Sequence, residues 1–242
     1  MATTLPTMTF ENHGSASAEP DIIKSYLDKE CDLGATCSPF AASPLCMDLT
    51  ISPLQITHSC LGKSCVVVDL SFPSGLSVNE GIPKDSYLDE PLALQLPGTD
   101  ALVAFILQKG PGCLLFKKDL SAYHQLRINP RDFHLLGIQH HDFMYFDVAP
   151  PFGLRSVVMM CQQTTSAVSY MFSNIGYHCT NYIDDFDIES PSKATMVFET
   201  LEELFSILGL DSSPYKDCAP TTCMVFLGVQ FNTIDMTMSV TP

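Results

Sequence analysis

Two adjacent carboxylates set among strand-forming residues constrain this chain more than any other feature. They lie in Asn181-Tyr182-Ile183-Asp184-Asp185-Phe186, with Cys179-Thr180 before and Asp187-Ile188 after. Tyr, Ile and Phe suit the pleated, half-buried surface of a strand, whereas Asp favours turns. The run therefore predicts two short strands joined by a tight turn at the acidic pair. Carboxylates fixed side by side repel each other and need a counter-charge, which a divalent, oxygen-seeking cation such as Mg2+ supplies. An isolated Asp-Asp is most often an ordinary exposed turn, so the rest of the chain has to decide.

The remaining chain can build a core around such a hairpin. Its 242 residues are 46% hydrophobic and 16% charged, enough for one large domain or two small ones. Residues 1–20, rich in Thr, Ser, Ala and Gly without periodicity, read as a disordered lead-in. A helix is expected over Asp21–Leu33, capped by Asp21 and stopped by Gly34. Residues 36–62, rich in Ser, Pro and Cys, read as loops or edges, and 65–70 as a buried strand. Residues 71–83 read as a loop. Further on, the pattern predicts a helix from Thr99 or Asp100 to Gln108, a strand from Leu114 to Leu120 carrying Asp119, and a hairpin over 134–148 turning near His140-His141. Pro150-Pro151-Phe152-Gly153 breaks that hairpin before a helix over 154–173. Ser192–Leu208 is amphipathic, with Met196, Val197, Leu201, Leu204, Phe205 and Leu208 on one face. A strand over Cys223–Phe231 closes the chain. Strands interleaved with helices, some joined as hairpins, give an α+β class.

Composition also excludes functions. No uninterrupted apolar run approaches the ~18 residues a membrane span needs, and Met1 to Phe10 lacks the basic and apolar blocks of a signal peptide. The expectation is an intracellular protein with no membrane partner. Ten cysteines occur without a Cys-x-x-Cys or zinc spacing, so free, mostly buried thiols are expected. The formal net charge of −15 opposes unaided tight binding to nucleic acid, because phosphate contacts need Lys and Arg.

Asp119 with Asp184 and Asp185, on two separate strands, is an arrangement that can hold two divalent ions for in-line phosphoryl transfer. Several blocks in order share a wider pattern: Lys118-Asp119-Leu120-Ser121-Ala122-Tyr123-His124-Gln125, Pro151-Phe152-Gly153-Leu154-Arg155-Ser156, Tyr182-Ile183-Asp184-Asp185, Ser213-Pro214-Tyr215-Lys216 and Phe226-Leu227-Gly228. Together with 67–71 and 77–82, they resemble the reverse transcriptases of retroelements over residues 21–242, and are most similar to the tyrosine-recombinase class of retrotransposons. That resemblance implies a fingers-and-palm fold, an antiparallel palm sheet backed by helices. Fingers would fall at about 21–109 and 125–149, and palm at about 110–124 and 150–242.

The implied activity is RNA-directed DNA polymerisation with Mg2+ (two ions, Mn2+ as substitute) on an RNA or DNA template with primer, using deoxynucleoside triphosphates. Asp119, Asp184 and Asp185 would be the metal ligands and Lys216 the proton donor to pyrophosphate. Lys63, Tyr123, Gln125, Phe152, Gly153 and Tyr182 would contact nucleotide, template or primer end, and Phe226, Leu227 and Gly228 would grip the primer.

Three departures stand out. Tyr123 follows Asp119 by four residues where the family's sugar-screening aromatic follows by five, and a one-residue slip turns later side chains to the other strand face. Cys65 stands where relatives place an Arg whose fork binds the triphosphate. The chain ends at Pro242, just past the primer-grip block, so the thumb is expected to be absent, or supplied with any RNase H region by another chain. A truncated or degenerate copy is the expectation, and a catalytically silent relic or repurposed interaction protein that keeps the palm fold is the alternative.

Overall fold

A computed structural model describes residues 7–241, except 38, 46, 60–61, 88–89, 92–95, 121–124, 178, 183–184 and 189–192; for Thr180 and residues 185–188 it describes the backbone alone. The chain forms two compact units, one from Met1–Leu92 with Tyr123–Val157, the other from Ala93–Ala122 with Val158–Pro242.

In chain order the first strands and helices are β1 (Met8–Thr9), α1 (Gly14–Ala18), α2 (Pro20–Asp32), β2 (Thr50–Ser52), β3 (Leu54–His58), β4 (Ser64–Val68), β5 (Ser86–Tyr87) and β6 (Glu90–Pro91). Then come α3 (Thr99–Lys109), β7 (Leu115–Asp119), β8 (Gly137–His140), β9 (Phe143–Phe146), α4 (Val157–Asn174), β10 (Cys179–Tyr182) and β11 (Asp185–Ile188). The last are α5 (Ala194–Leu208), β12 (Cys218–Thr221), β13 (Cys223–Phe226), β14 (Val229–Asn232) and β15 (Thr237–Val240).

The first unit is built on the sheet β1-β2-β8-β9. β1 and β8 both run parallel to β2, and β9 returns antiparallel to β8. Gly137 is required at the β2–β8 contact: a Cβ there would come within 2.4 Å of Ile51 Cδ1 and 2.9 Å of the Thr50 carbonyl. Leu49, Ile51 and Phe146 form the adjoining core. Proline at the start of α2 loses nothing, since the first-turn N–H groups have no helical partner, and Gly34 ends the segment at φ 64.

Two expectations change here. From Thr7 on, the stretch read as a lead-in carries β1 and α1, because its backbone hydrogen-bonds into the sheet: the Met8 N–H donates to the Leu49 carbonyl at 2.7 Å. Residues 36–62 contain β2 and β3, and β3 pairs over its full length with β4 from Leu54↔Val68 to His58↔Ser64. Ser and Thr are tolerated there because cross-strand pairing supplies what local preference does not.

The second unit carries the sheet β10-β11-β7-β12 and the sheet β13-β14-β15. Leu102 and Ile106 of α3 pack with Cys113, Leu115, Met224, Phe226 and Phe231 in one core cluster. α5 buries Ala194, Val197, Leu201 and Phe205, a stripe at three- and four-residue spacing. Met196 and Leu208, expected on that face, are 43% and 37% exposed. The single strand expected over 223–231 is instead the hairpin β13–β14, since Leu227 and Gly228 take φ 49 and 77, as a two-residue primed turn requires. All eight described cysteines are free, but Cys65 and Cys223 are exposed and only Cys113 and Cys161 are fully buried.

Candidate active site

The acidic hairpin forms with the expected strands. β10 and β11 pair antiparallel from Cys179↔Ile188 to Tyr182↔Asp185, so a two-residue connection, 183–184, joins them. β11 then pairs with β7, and the register sets Asp185 directly opposite Asp119. Register partners share one face of a sheet, and like charges placed opposite each other are destabilising unless something neutralises them. Asp184 and Tyr123 lie outside the described residues, as does the side chain of Asp185. Among the described residues no group of three or more His, Cys, Asp or Glu side chains is placed to hold a metal.

Asp119 ends β7 and is 4% exposed. Lys216 Nζ donates to both of its carboxylate oxygens, at 3.0 and 3.1 Å. Its own N–H donates to Asp217 Oδ1 at 3.0 Å, and its carbonyl accepts from the Ser213 N–H at 2.8 Å. The Ser213-Pro214-Tyr215-Lys216 block therefore closes over the end of β7, and the turn is fixed by the Lys216 N–H donating to the Ser213 carbonyl.

Strand alternation sends Lys118 to the opposite face from Asp119. There it is 2% exposed, donates to Asp217 Oδ2 at 3.0 Å and to Glu202 Oε2, and lies 4.0 Å over the Phe198 ring. Asp217 thus ties a buried lysine to the backbone of Asp119. Spacing gave no sign of Lys118, Asp217 or Glu202 as a group, because Lys118 lies 84 residues from Glu202 and 99 from Asp217.

Tyr182 and Phe226 meet edge to face with ring centroids 6.5 Å apart. Phe226 is buried, and Leu227 and Gly228 form the turn beside it. β10 is anchored to α4 by Asn181, whose Nδ2 donates to Thr165 Oγ1 at 2.9 Å and whose carbonyl accepts from Gln162.

The other proposed contacts belong to the first unit. Lys63 is exposed in the β3–β4 connection, where the Ser59 N–H donates to its carbonyl at 2.9 Å. Gln125 is half-buried and Phe152 is 59% exposed. Gly153 takes φ 99, and a Cβ there would stand 3.2 Å from the Val68 carbonyl. Buried Asn79 clamps this segment: its Nδ2 donates to the Gly153 carbonyl at 2.8 Å and its Oδ1 accepts from the Arg155 N–H at 2.8 Å. Asn79 falls within the 77–82 block that marked the resemblance, yet its role shows only in the fold.

Neither a family model nor a curated protein matches the sequence. Solved structures do. The crystal structure of a prototype foamy virus protease-reverse transcriptase mutant superposes with a TM-score of 0.70 at 14% identity, over 99% of this chain and 28% of that one. The fold is reverse-transcriptase-like. A foamy viral protease-reverse transcriptase in complex with dsDNA gives a TM-score of 0.70 at 14% identity over 100% of this chain and 44% of that one. The foamy viral enzyme in complex with RNA/DNA hybrid gives 0.68 at 15%, over 99% and 29%. This chain therefore spans less than half the length of those reverse transcriptases. At such identity the likeness carries the mixed α+β fold, and the chemistry rests on this chain's own residues. No helix among the described residues is long and apolar enough to cross a membrane.

Proposed function

We propose that this chain is the polymerase core of a reverse transcriptase, from a degenerate retrotransposon copy of the tyrosine-recombinase class. It would extend a primer on an RNA or DNA template with deoxynucleoside triphosphates. The observation that carries this reading is the β7–β11 register, which opposes Asp119 and Asp185 beside a lysine. A fold has little reason to oppose two carboxylates unless the charge is used.

Asp119, Asp184 and Asp185 offer oxygen donors only, the set preferred by Mg2+ and accepted by Mn2+. When bound, two such ions stabilise the attacking and leaving oxygens of an in-line displacement. Asp217 and Ser213 hold the backbone of Asp119 at both its N–H and its carbonyl. Lys216 Nζ balances the Asp119 carboxylate at rest and is the group to pass a proton to the departing pyrophosphate oxygen. Tyr182 with Phe226, Leu227 and Gly228 would support the primer end, while Gln125, Phe152 and Gly153 would contact template and nucleotide. Lys63 would meet phosphate as a point charge.

A second reading, a silent protein that keeps this fold, is favoured by exposed Cys65, since a thiol cannot replace a guanidinium fork on phosphate. Primer extension on an RNA template in Mg2+ or Mn2+ separates the two. Extension by the folded chain, lost in Asp119→Ala, supports the polymerase; no extension by a chain that circular dichroism shows to be folded supports the silent protein.

A further inference from the structure

The β3–β4 pair of the first unit brings together a serine, a histidine and a glutamate. His58 ends β3 and stands opposite Ser64, the first residue of β4. Ser64 Oγ lies 3.0 Å from His58 Nδ1, and Glu19 Oε1 lies 2.9 Å from His58 Nε2. Glu19 is itself held between α1 and α2. Its N–H donates to the Ala16 carbonyl, and its carbonyl accepts from the N–H groups of Ile22 and Ile23.

These contacts fix where a neutral imidazole carries its proton. A carboxylate can only accept, so Nε2 bears the hydrogen and Nδ1 is left as the acceptor. Ser64 therefore donates its hydroxyl hydrogen to Nδ1. A hydroxyl that donates to an imidazole, itself oriented by a carboxylate, is the arrangement that activates a serine nucleophile.

The strand edge supplies a donor for the charge such a nucleophile creates. The Ser59 N–H donates to the Lys63 carbonyl at 2.9 Å, so the alternation of the ladder makes His58 and Ser64 a non-hydrogen-bonded pair. The Ser64 N–H thus points away from β3, and among the described residues no strand pairs with that edge of β4. A cleft of about 790 Å3 is lined by residues 63–67 without a gap, which a pleated strand presents together only along its edge. Ile22, Tyr26, Val66 and Pro150 make its walls largely apolar.

We propose that Ser64, His58 and Glu19 form a hydrolytic site for small carboxylic esters, with the acyl chain in this cleft. Ser64 Oγ attacks the ester carbonyl as its proton passes to His58 Nδ1, and the Ser64 N–H holds the resulting oxyanion. The carbon–oxygen bond to the alcohol then breaks, and the departing alkoxide takes the proton from Nδ1. Water next loses a proton to Nδ1 and attacks the acyl carbon. The bond from that carbon to Oγ breaks, Oγ takes the proton back, and the carboxylic acid leaves. Glu19 is a positioning residue, because it keeps the hydrogen on Nε2 and balances the imidazolium formed at each step. The aspartates of the second unit take no part, so the site stands whether or not the chain polymerises.

The test exposes the full chain, in EDTA, to p-nitrophenyl butyrate and separately to an alkyl fluorophosphonate. Nitrophenolate release gives the turnover, and mass spectrometry of the digested chain gives the residue that has displaced fluoride. The expected result is one phosphonyl group on Ser64, and turnover that Ser64→Ala and His58→Ala each lower by about a hundredfold. Glu19→Gln, which keeps the shape and removes the charge, should lower turnover by at least about tenfold. Labelling of the unaltered chain reads the nucleophile directly, so a variant that misfolds does not decide the outcome.

A folded chain whose Ser64 is labelled no faster than its other exposed serines overturns the proposal, as does turnover that survives Ser64→Ala. Labelling of Ser64 at the wild-type rate in His58→Ala would show that the three side chains only pin the hairpin to the helices, and would overturn it equally.

Discussion

The two units treat a buried carboxylate in opposite ways. In the β7–β11 sheet, Asp119 is paired on both oxygens by Lys216 and held at its N–H by Asp217, which is itself paired with Lys118. In the first unit, Asp147 has one hydroxyl donor and, among the described residues, no ion pair. Burial there, with the Glu30 charge adding to it and the Thr36 hydrogen bond opposing it, pushes the Asp147 carboxyl up to about 7. Burial and the charges of Asp147 and Glu30 likewise push the Tyr26 phenol up. A buried carboxylate stays charged where a counter-ion is built beside it, and otherwise drifts toward neutrality. The sheet is thus organised around charges it keeps, a requirement for cation binding, whereas burial in the first unit drives a carboxyl toward its neutral form.

The sharpest way to break this contrast is Asp119→Ala or Asp185→Ala. Each should lower primer extension by at least about a thousandfold without unfolding the chain, whereas Asp147→Asn should leave far more activity. Extension that survives Asp119→Ala would show that the paired carboxylate is not the working one.

Next in size is the core of the second unit. Phe226→Ala empties a fully buried position beside Tyr182 and should cost about 3–5 kcal/mol in urea unfolding. A cost near zero would mean the hairpin is not anchored by that ring.

The Asp147 carboxyl predicts a pH slope of the opposite sign to the usual paired acid. Its folded value lies above the unfolded one, so the folded state holds the extra proton and this contribution is lost as pH rises toward and through about 7. Between about pH 5 and 8 the loss is on the order of 3 kcal/mol. Asp147→Asn should flatten the slope by that amount, and an unchanged slope would place the titration elsewhere.

Smaller effects follow at the Pro-Phe-Gly segment. Gly153→Ala faces both φ 99 and the Val68 carbonyl, and should cost about 1–2 kcal/mol. Phe152→Ala, at a 59% exposed position, should change stability by less than about 0.5 kcal/mol, so any loss of nucleotide binding or extension there reports contact rather than folding.

Local chemistry made some of this legible in advance. Asp at the turn and Tyr, Ile and Phe around it gave the acidic hairpin, and Gly34 gave the end of α2, whereas Glu19 and not Asp21 takes the cap position because the helix begins at Pro20. Period gave α5, but Met196 and Leu208 sit at the edges of a stripe that the fold makes narrower than hydrophobicity alone suggests. The turn at Leu227 was hidden because a leucine is a poor advertisement for positive φ. β2 and β3 were hidden because their pairing partners, not their own residues, make them strands. Lys118, Asp217, Asn79 and Asp147 were hidden for one reason: each acts through a partner distant in the chain, and spacing carries no record of such pairs.

The central claim is that the β7–β11 register makes a divalent-cation site, and Mn2+ titration followed by electron paramagnetic resonance tests it without requiring the chain to polymerise. The account predicts saturable Mn2+ binding by the wild-type chain that Mg2+ displaces and that Asp119→Ala and Asp185→Ala each remove. Binding that persists in both variants, or a folded wild-type chain that binds no Mn2+, would contradict it.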